Sequence, residues 1–221
     1  MADIALICGA SGALGGALVE VFLARGDDVV AVSRTGGSGV DGHVRREQVD
    51  LTDPDAVEAL WDRLAAEAAT PRWVVNAAGG FRAGTVAASE PAEHGFVLDL
   101  NLHTAWWSCR AAARRLEDGA AIVNVSSRSA REGGAGSASY AVAKAAVVRL
   151  TEVLAAELAP RVRVNCVLPS VIDTPQNRAS LSPERMAKAV PPAVIAATIA
   201  YLCSDGAAAT SGAAIPVYGA A

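Results

Sequence analysis

The stretch IALICGASGALGG at residues 4–16 joins a run of apolar residues to a turn that is rich in glycine. The run Ile4–Cys8 predicts a buried strand, Gly9–Gly16 predicts a tight turn, and Ala17–Ala24 predicts a helix. Glycine at such a turn lets the backbone approach a pyrophosphate, whose charge the N-terminus of the helix stabilises. Because turns also need glycine for close packing, a turn without a ligand is the alternative. The stretch therefore predicts a strand, turn and helix with the geometry of a dinucleotide site.

The rest of the chain repeats this alternation of short apolar runs and longer helical patterns. Six further runs predict strands: Val29–Val32, Val44–Val49, Trp73–Asn76, Ala121–Val125, Val162–Leu168 and Ala214–Val217. Helices are expected at about 54–69, 93–116 and 139–158, and irregular segments at 35–42 and 169–183. Strands that are apolar on both faces belong to parallel sheets covered by helices on each side. We therefore expect an α/β fold: a single-domain, Rossmann-type doubly wound parallel sheet of about seven strands over residues 1–221, with helices on both faces.

Composition and charge exclude several classes of function. Of 221 residues, 52% are hydrophobic and 19% are charged, and the net charge is −4 without a run of Lys or Arg. Nucleic acid and membranes are therefore not expected as partners. The apolar N-terminal stretch starts with Asp3 instead of a basic segment and is interrupted by glycines and Glu20, unlike a signal peptide. The four cysteines lack metal-ligand spacing, which favours reduced, buried thiols, no metal and a cytoplasmic location.

A phenol and an ammonium group are spaced by four residues in Tyr140-Ala-Val-Ala-Lys144. On a helix this spacing places both side chains on one face. The ordinary pKa of tyrosine is about 10, and a nearby positive charge lowers it toward the working range of an acid or base. Such pairs also arise on ordinary surface helices, which is the alternative. Two polar positions favour a catalytic site: Ser127, thirteen residues before Tyr140, and Asn101, 39 residues before it.

These motifs, in this order, resemble those of the short-chain dehydrogenases/reductases over nearly the full length of the chain. The glycine turn is similar to the family's T-G-x-x-x-G-x-G, although Cys8 replaces the threonine and Ala13 the middle glycine. Asn76-Ala-Ala-Gly79 resembles the N-N/A-A-G element, and Pro169-Ser-Val-Ile-Asp-Thr174 resembles P-G-x-x-x-T. The resemblance implies hydride transfer at a CH–OH or C=O group, and a homodimer or homotetramer built through the two long helices.

The resemblance also implies a role for each catalytic residue. Tyr140 is expected to donate a proton to the carbonyl oxygen, and Lys144 to hold the nicotinamide ribose and lower the pKa of the tyrosine. Ser127 is expected to hydrogen-bond the substrate oxygen and stabilise the charge that develops there. Asn101 is expected to hold a water molecule that connects the lysine to solvent.

A larger set of residues is implied to bind the cofactor. Besides Tyr140 and Lys144, it comprises Gly9, Ser11, Gly12, Leu14, Gly15, Ser33, Arg34, Asp50, Leu51, Asn76, Ala77, Gly79, Pro169, Ile172 and Thr174. In the family, the aspartate at the place of Asp50 meets the adenine ring. The backbone near Ile172 and the Thr174 hydroxyl are expected to meet the nicotinamide carboxamide. By contrast, Asp53 is interpreted as the N-cap of the helix that starts at Pro54.

The end of the second predicted strand bears on the choice of cofactor. An acidic residue there would bind the ribose hydroxyls of NAD and repel the 2′-phosphate of NADP. Ser33 stands in that place and Arg34 follows, and a guanidinium can hold a phosphate with two hydrogen bonds. NADP(H) is therefore preferred, with NAD(H) as the second option. The alternative is that Arg34 is only a solvated loop residue.

The leading interpretation is an NADP(H)-dependent oxidoreductase that reduces a ketone, 3-oxoacyl group, quinone or similar small molecule to an alcohol. An NAD(P)+-dependent alcohol dehydrogenase and a non-catalytic NADP-binding regulator are the alternatives. The regulator is disfavoured because all four catalytic positions carry the expected residues. Three arginines lie in loops beside the expected site: Arg82, Arg128 and Arg131. They are interpreted either as ligands of an anionic substrate or as solvated residues.

Overall fold

β1 (Ile4–Cys8) lies near the centre of one eight-stranded sheet in the computed structural model, which describes residues 2–220. The other strands are β2 (Asp28–Ser33), β3 (Gly39–Asp41), β4 (Val44–Gln48), β5 (Trp73–Asn76), β6 (Ala121–Val125), β7 (Arg163–Pro169) and β8 (Ala214–Val217). Their order is β3-β4-β2-β1-β5-β6-β7-β8, and every neighbouring pair is parallel except β3 with β4. Leu6 of β1 lies opposite Val30 of β2 and Val74 of β5.

Eight α-helices connect or follow the strands within residues 2–220. They are α1 (Ala13–Arg25), α2 (Pro54–Ala66), α3 (Pro91–Leu98), α4 (Thr104–Arg115), α5 (Ala138–Leu158), α6 (Pro175–Ser180), α7 (Pro183–Met186) and α8 (Pro192–Leu202). A π-helical turn (Asp99–His103) joins α3 to α4. As predicted, the Asp53 carboxylate caps α2, because its Oδ1 accepts from the N–H groups of Asp55 and Ala56.

The sheet has a hydrophobic core on each face. Leu6 and Cys8 of β1 pack in the core formed with α2, α4 and α5, whereas Ala5 and Ile7 pack in the core formed with α1 and α8. The side chains alternate in this way because successive residues of a strand point to opposite faces. Each buried aliphatic or aromatic side chain contributes about 1.5–3 kcal/mol. The predicted doubly wound sheet with helices on both faces is confirmed.

The structure differs from the prediction at three elements. β3 is an additional edge strand, and its fully exposed residues pair antiparallel with β4 inside the segment expected to be a loop. The helix expected over 93–116 is divided into α3, the π-helical turn and α4. α6 forms within the segment expected to be irregular, where the Thr174 hydroxyl accepts from the N–H of Asn177 and so caps it.

The four cysteines are free and buried, as predicted. Burial raises the pKa of Cys8 to about 11 and that of Cys109 to about 12, so both thiols stay protonated at neutral pH. None of the helices within residues 2–220 combines the length and the apolar character needed to span a lipid bilayer.

Candidate active site

The chain reverses its direction of winding at β1, whose neighbours are β2 on one side and β5 on the other. In open α/β sheets, the crevice outside the carboxyl ends of the strands at such a point is where ligands bind. Gly9 follows β1 and Ala77 follows β5, and the Ala77 N–H donates to the Cys8 carbonyl at 2.9 Å. The two predicted cofactor segments therefore meet at the switch point of the sheet.

The glycine turn after β1 tolerates no side chain at two positions. Gly9 has φ of +91°, and a Cβ there would lie 2.6 Å from the backbone nitrogen of Ala78. A Cβ on Gly15 would overlap the Gly9 carbonyl oxygen. Because neither residue carries a Cβ, the turn can lie flat against the start of α1. A pyrophosphate cradle requires this close approach.

The N-terminus of α1 leaves donors free for an anion. Gly12 is its N-cap residue and provides no side-chain oxygen, so the first N–H groups of α1 have no side-chain cap. Ser11 and Gly12 are exposed, whereas Leu14 is buried and anchors the helix against the sheet. The turn and the uncapped helix start together fit a dinucleotide pyrophosphate.

The carboxyl end of β2 carries Ser33 and Arg34. The Ser33 hydroxyl donates to the Thr35 carbonyl, and the Arg34 carbonyl accepts from Gln48 Nε2 at 3.2 Å. Arg34 is exposed, and no ion pair of its guanidinium occurs with any other residue between 2 and 220. Its charge is therefore available to a ligand.

Asp50 and Leu51 lie at the next strand end. The hydroxyl and the N–H of Thr52 donate to the Asp50 carboxylate and lower its pKa, and the charge of Arg34 lowers it further. Leu51 is buried beneath this loop. A carboxylate held in this way stays ionised and is placed to accept a hydrogen bond.

Asn76 lies in a buried polar network under the crevice. Its Nδ2 donates to Asn124 Oδ1 at 2.8 Å, and Asn124 Nδ2 donates to Thr151 Oγ1 at 2.9 Å. The Asn76 Oδ1 atom is buried and has no hydrogen-bond partner. The network connects β5, β6 and α5, so it holds together the elements that carry the site.

Asn101 lies in the π-helical turn and is 1% exposed. Its Nδ2 donates to the carbonyls of Gly80 (2.9 Å) and Val97 (3.0 Å), and its Oδ1 accepts from the Gly80 N–H (3.1 Å). The backbone therefore engages both hydrogens of Nδ2 and one lone pair of Oδ1. π-helical turns of this kind are frequent at functional sites.

Gly79 allows two of the catalytic candidates to approach each other. A Cβ there would lie 2.9 Å from Asn101 Oδ1 and 3.1 Å from Lys144 Nζ. Both groups therefore lie against the same bare Cα at the end of the Asn76–Gly79 segment. The family motif nominated Gly79, and these two contacts give the physical reason why the position has no side chain.

Tyr140 lies in the first turn of α5, and Ser127 follows β6. The structure brings both together with Lys144, whose Nζ is 5.9 Å from the centre of the Tyr140 ring. Lys144 is 4% exposed and its Nζ donates to the Val125 carbonyl at 3.0 Å. Ser127 is buried and its Oγ accepts from the Ser129 N–H at 3.2 Å.

The pKa of Tyr140 differs in direction from the expectation. Burial raises the pKa of the phenol, and the Ser127 side chain partly opposes that rise. Burial also lowers the pKa of Lys144, to about 8. Desolvation of the phenol is therefore the larger effect, so the net direction of the tyrosine pKa is upward, opposite to the direction expected from a nearby lysine.

The segment after β7 closes the crevice on the other side. Pro169 ends β7, and the Ser170 hydroxyl donates to the Tyr218 carbonyl at 2.9 Å. The Ile172 carbonyl accepts from Asn177 Nδ2 at 2.8 Å. Because the Thr174 hydroxyl already accepts from the N–H of Asn177, its proton remains available to an acceptor on a ligand.

Comparison with known proteins identifies the family. A family described as enoyl-(acyl carrier protein) reductase matches residues 9–219. The 3-oxoacyl-[acyl-carrier-protein] reductase FabG of Escherichia coli is 30% identical over 233 residues, which cover 98% of this chain and 96% of the relative. The structure of a short-chain dehydrogenase/reductase from Brucella melitensis superposes with a TM-score of 0.90 at 27% identity, covering 97% of this chain and 94% of the other. The chain belongs to the short-chain dehydrogenase/reductase family.

A second solved relative contains a cofactor. The blue fluorescent protein from a metagenomic library, in complex with NADPH, superposes with a TM-score of 0.87 at 26% identity. The superposition covers 99% of this chain and 98% of that protein. As a short-chain dehydrogenase/reductase, the chain is an oxidoreductase that acts on CH–OH or C=O groups.

Phe81 is a residue of this short-chain dehydrogenase/reductase that the sequence analysis did not place in the site. Its ring centre is 5.2 Å from that of Tyr140, and the two planes meet at 79°. The side chain is nevertheless 52% exposed. An aromatic residue directly after the Asn-Ala-Ala-Gly-Gly segment was the signal in the sequence.

The loop arginines have partners of their own. Arg128 is paired with Glu132 at 2.6 Å and lies over the Tyr218 ring, and Arg131 donates to the Ala214 carbonyl at 3.2 Å. Arg82 lies 3.8 Å from Glu93 and over the Phe96 ring. No group of His, Cys, Asp or Glu side chains in the part of the chain described, residues 2–220, is arranged to hold a metal ion.

Proposed function

We propose that this short-chain dehydrogenase/reductase is an NADPH-dependent carbonyl reductase. The observation that carries the proposal is the meeting of Tyr140, Ser127 and Lys144 beside Gly79, at the end of the Asn76–Gly79 segment. Burial keeps the pKa of Tyr140 above its ordinary value, so the phenol carries at neutral pH the proton that a donor must supply.

The reaction is divided between the cofactor and the protein. A reduced nicotinamide, when bound, supplies the hydride that is added to the carbonyl carbon. Tyr140 donates its phenolic proton to the carbonyl oxygen, so the product is the neutral alcohol and the tyrosine is left as a phenolate until it is reprotonated. The Ser127 hydroxyl stabilises the charge on that oxygen, and the Lys144 ammonium orients the ribose and stabilises the phenolate.

The cofactor-binding residues are proposed from the resemblance to the family, and the geometry of the crevice supports them. Gly9, Ser11, Gly12, Leu14 and Gly15 form the cradle for the pyrophosphate. The remaining contacts are assigned to Asp50, Leu51, Asn76, Ala77, Gly79, Pro169, Ile172 and Thr174. The fit rests on the two positions that exclude a Cβ and on the uncapped start of α1.

NADPH is preferred over NADH because the end of β2 lacks a carboxylate. Ser33 would accommodate the 2′-phosphate, and the free guanidinium of Arg34 would hold it. The NADPH complex of the metagenomic relative supports this choice. We also propose that the enzyme works in the cytoplasm as a homodimer or homotetramer.

The substrate is proposed to be a small ketone, a quinone or a 3-oxoacyl thioester, of which the last is the substrate class named for the Escherichia coli relative. The experiment is to follow the loss of reduced nicotinamide absorbance against a panel of these compounds, with NADPH and NADH in parallel. Turnover that prefers NADPH and disappears in Tyr140→Phe is the expected result. Tight NADPH binding without turnover across the panel would instead favour a cofactor-binding regulator.

A further inference from the structure

Phe81 contacts Tyr140 from outside the set of catalytic candidates. The two rings meet edge to face, with centres 5.2 Å apart and planes at 79°. This is one of the two arrangements that aromatic pairs prefer. Phe81 is 52% exposed, so its ring is not held in a hydrophobic core. Its position therefore depends on the contact with Tyr140 and on its own backbone.

That backbone is clamped by the Asn101 side chain. Gly80, the residue before Phe81, donates its N–H to Asn101 Oδ1 at 3.1 Å and accepts from Asn101 Nδ2 at 2.9 Å. Asn101 is 1% exposed and is held in turn by the Val97 carbonyl. A Cβ on Gly80 would lie 3.0 Å from Leu100 Cδ2, so the glycine lies close against the π-helical turn.

The Tyr140 ring has other neighbours, which define what Phe81 adds. Lys144 Nζ lies 5.9 Å from the ring centre, and Ser127 faces the phenol from the end of β6. The nearby charged or titratable groups on adjoining elements have their own partners. These are Arg128 with Glu132, Arg82 with Glu93, and His94, whose Nδ1 is 2.9 Å from Ser139 Oγ. Among residues 2–220, Phe81 supplies the aromatic ring that contacts the tyrosine.

We propose that Phe81 is a positioning residue whose ring fixes the orientation of the Tyr140 phenol toward Ser127. The Asn101 side chain acts by holding Phe81 in place through Gly80. This inference rests on the proposed function of Tyr140. A phenol that turns away from the substrate oxygen loses the alignment that proton transfer needs, because small displacements of reacting groups cost large factors in rate.

The test compares Phe81→Ala, Phe81→Tyr and the control Phe96→Ala. Phe96 is 39% exposed on α3, and its ring lies under the Arg82 guanidinium. We expect Phe81→Ala to lower kcat by about tenfold, while KM and the dissociation constant of NADPH change less than kcat does. Phe81→Tyr keeps the ring and should restore kcat, and Phe96→Ala should leave it unchanged.

A second readout does not depend on turnover. The protein contains three tyrosines, so labelling with 3-fluorotyrosine gives three fluorine resonances, and Tyr140→Phe assigns one of them. In Phe81→Ala the Tyr140 resonance should shift, and its titration midpoint should fall as the phenol becomes more hydrated. Fluorine makes the phenol more acidic, which brings this titration below strongly alkaline pH.

The outcomes separate this inference from the proposed function. If no substrate is turned over but the resonance and midpoint of Tyr140 move as expected, the positioning contact stands and the reductase assignment fails. If turnover is found but Phe81→Ala keeps kcat and the Tyr140 midpoint of the parent, the inference is overturned. A rise in KM alone would also overturn it, because Phe81 would then contact substrate and not position the tyrosine.

Discussion

The Lys144 ammonium donates to the Val125 carbonyl oxygen at 3.0 Å, inside the protein where the lysine is 4% exposed. Burial lowers the pKa of this lysine from its ordinary 10.5 to about 8. At neutral pH the folded protein thus keeps a charge that its surroundings disfavour. Buried charges of this kind are retained for function at a cost in stability.

Lys144→Met should therefore be more stable than the parent protein at pH 7 and inactive. We expect a gain in the free energy of unfolding on the order of 1–3 kcal/mol, because the methionine keeps the apolar stem and removes the charge. Urea denaturation, with NADPH turnover measured in parallel, tests both parts. A less stable variant at pH 7 would show that the hydrogen bond to Val125 outweighs the burial of the charge.

The same lysine predicts a pH dependence. Between pH 8 and 10.5 the unfolded chain binds more protons at this residue than the folded chain does. The contribution of Lys144 to stability therefore rises with pH over this window, and the advantage of Lys144→Met shrinks. Unfolding curves for both proteins at several pH values from 7 to above 10 give this difference, and a constant difference would contradict the lowered pKa.

Two adjacent glycines in the first turn of α1 should respond in opposite ways to alanine. A Cβ on Gly15 would overlap the Gly9 carbonyl and lie 2.7 Å from Ala10 Cα, whereas a Cβ on Gly16 has nothing within 4 Å. Gly15→Ala should cost about 2–4 kcal/mol and weaken NADPH binding, because the turn must move away from α1. Gly16→Ala should be neutral or stabilise the protein by up to about 1 kcal/mol. Chemical denaturation and NADPH titration of the two variants compare them directly, and equal losses would show that the turn adapts.

The elements of the fold that show a regular pattern of apolar residues could be predicted from the sequence. β1, β5 and β6 are buried on both faces, so their apolar runs were recognisable without tertiary information. β3 was not, because Gly39, Val40 and Asp41 are all exposed and are held by backbone pairing with β4. The pairing runs across a short turn to the adjacent strand, and the exposed residues of β3 form no apolar run from which a strand could be predicted.

The residues of the candidate site could be predicted from the sequence, but the contacts between them could not. Motif spacing nominated Tyr140 and Lys144, whereas the direction of the tyrosine pKa depends on burial, which spacing does not report. The π-helical turn likewise depends on the hydrogen bonds of Asn101 to Gly80 and Val97. Such interruptions arise from tertiary contacts, so the local sequence favours a continuous helix.

Arg34 should determine the preference between the two nicotinamide cofactors. Arg34→Ala should weaken NADPH binding by about ten- to a hundredfold, because a hydrogen bond between charged groups is worth about 1.5–3 kcal/mol, and should leave NADH binding nearly unchanged. Arg46→Ala is the matched control, since Arg46 is exposed and pairs only loosely with Asp41 at 3.7 Å. Fluorescence titration with both cofactors measures the ratio. Equal losses for NADPH and NADH would place the guanidinium away from the 2′-phosphate.

Of the substitutions considered, one in the buried network of Asn76, Asn124 and Thr151 should cause the largest loss of stability. Asn124 is fully buried, and its amide serves Asn76 on one side and Thr151 on the other. Asn124→Leu should cost about 2–5 kcal/mol, because Asn76 Nδ2 then loses its strong acceptor. Thr151→Val should cost less, since the Thr151 hydroxyl bonds locally to the Val147 carbonyl on its own helix.

The double variant decides whether these residues act as one network. If Asn124→Leu has already disrupted the bond to Thr151, adding Thr151→Val should cost less than it does in the parent protein. Urea denaturation of the parent, both single variants and the double variant gives this coupling energy. Additive losses would show that Asn76, and not Thr151, is the partner through which Asn124 stabilises the sheet beneath the site.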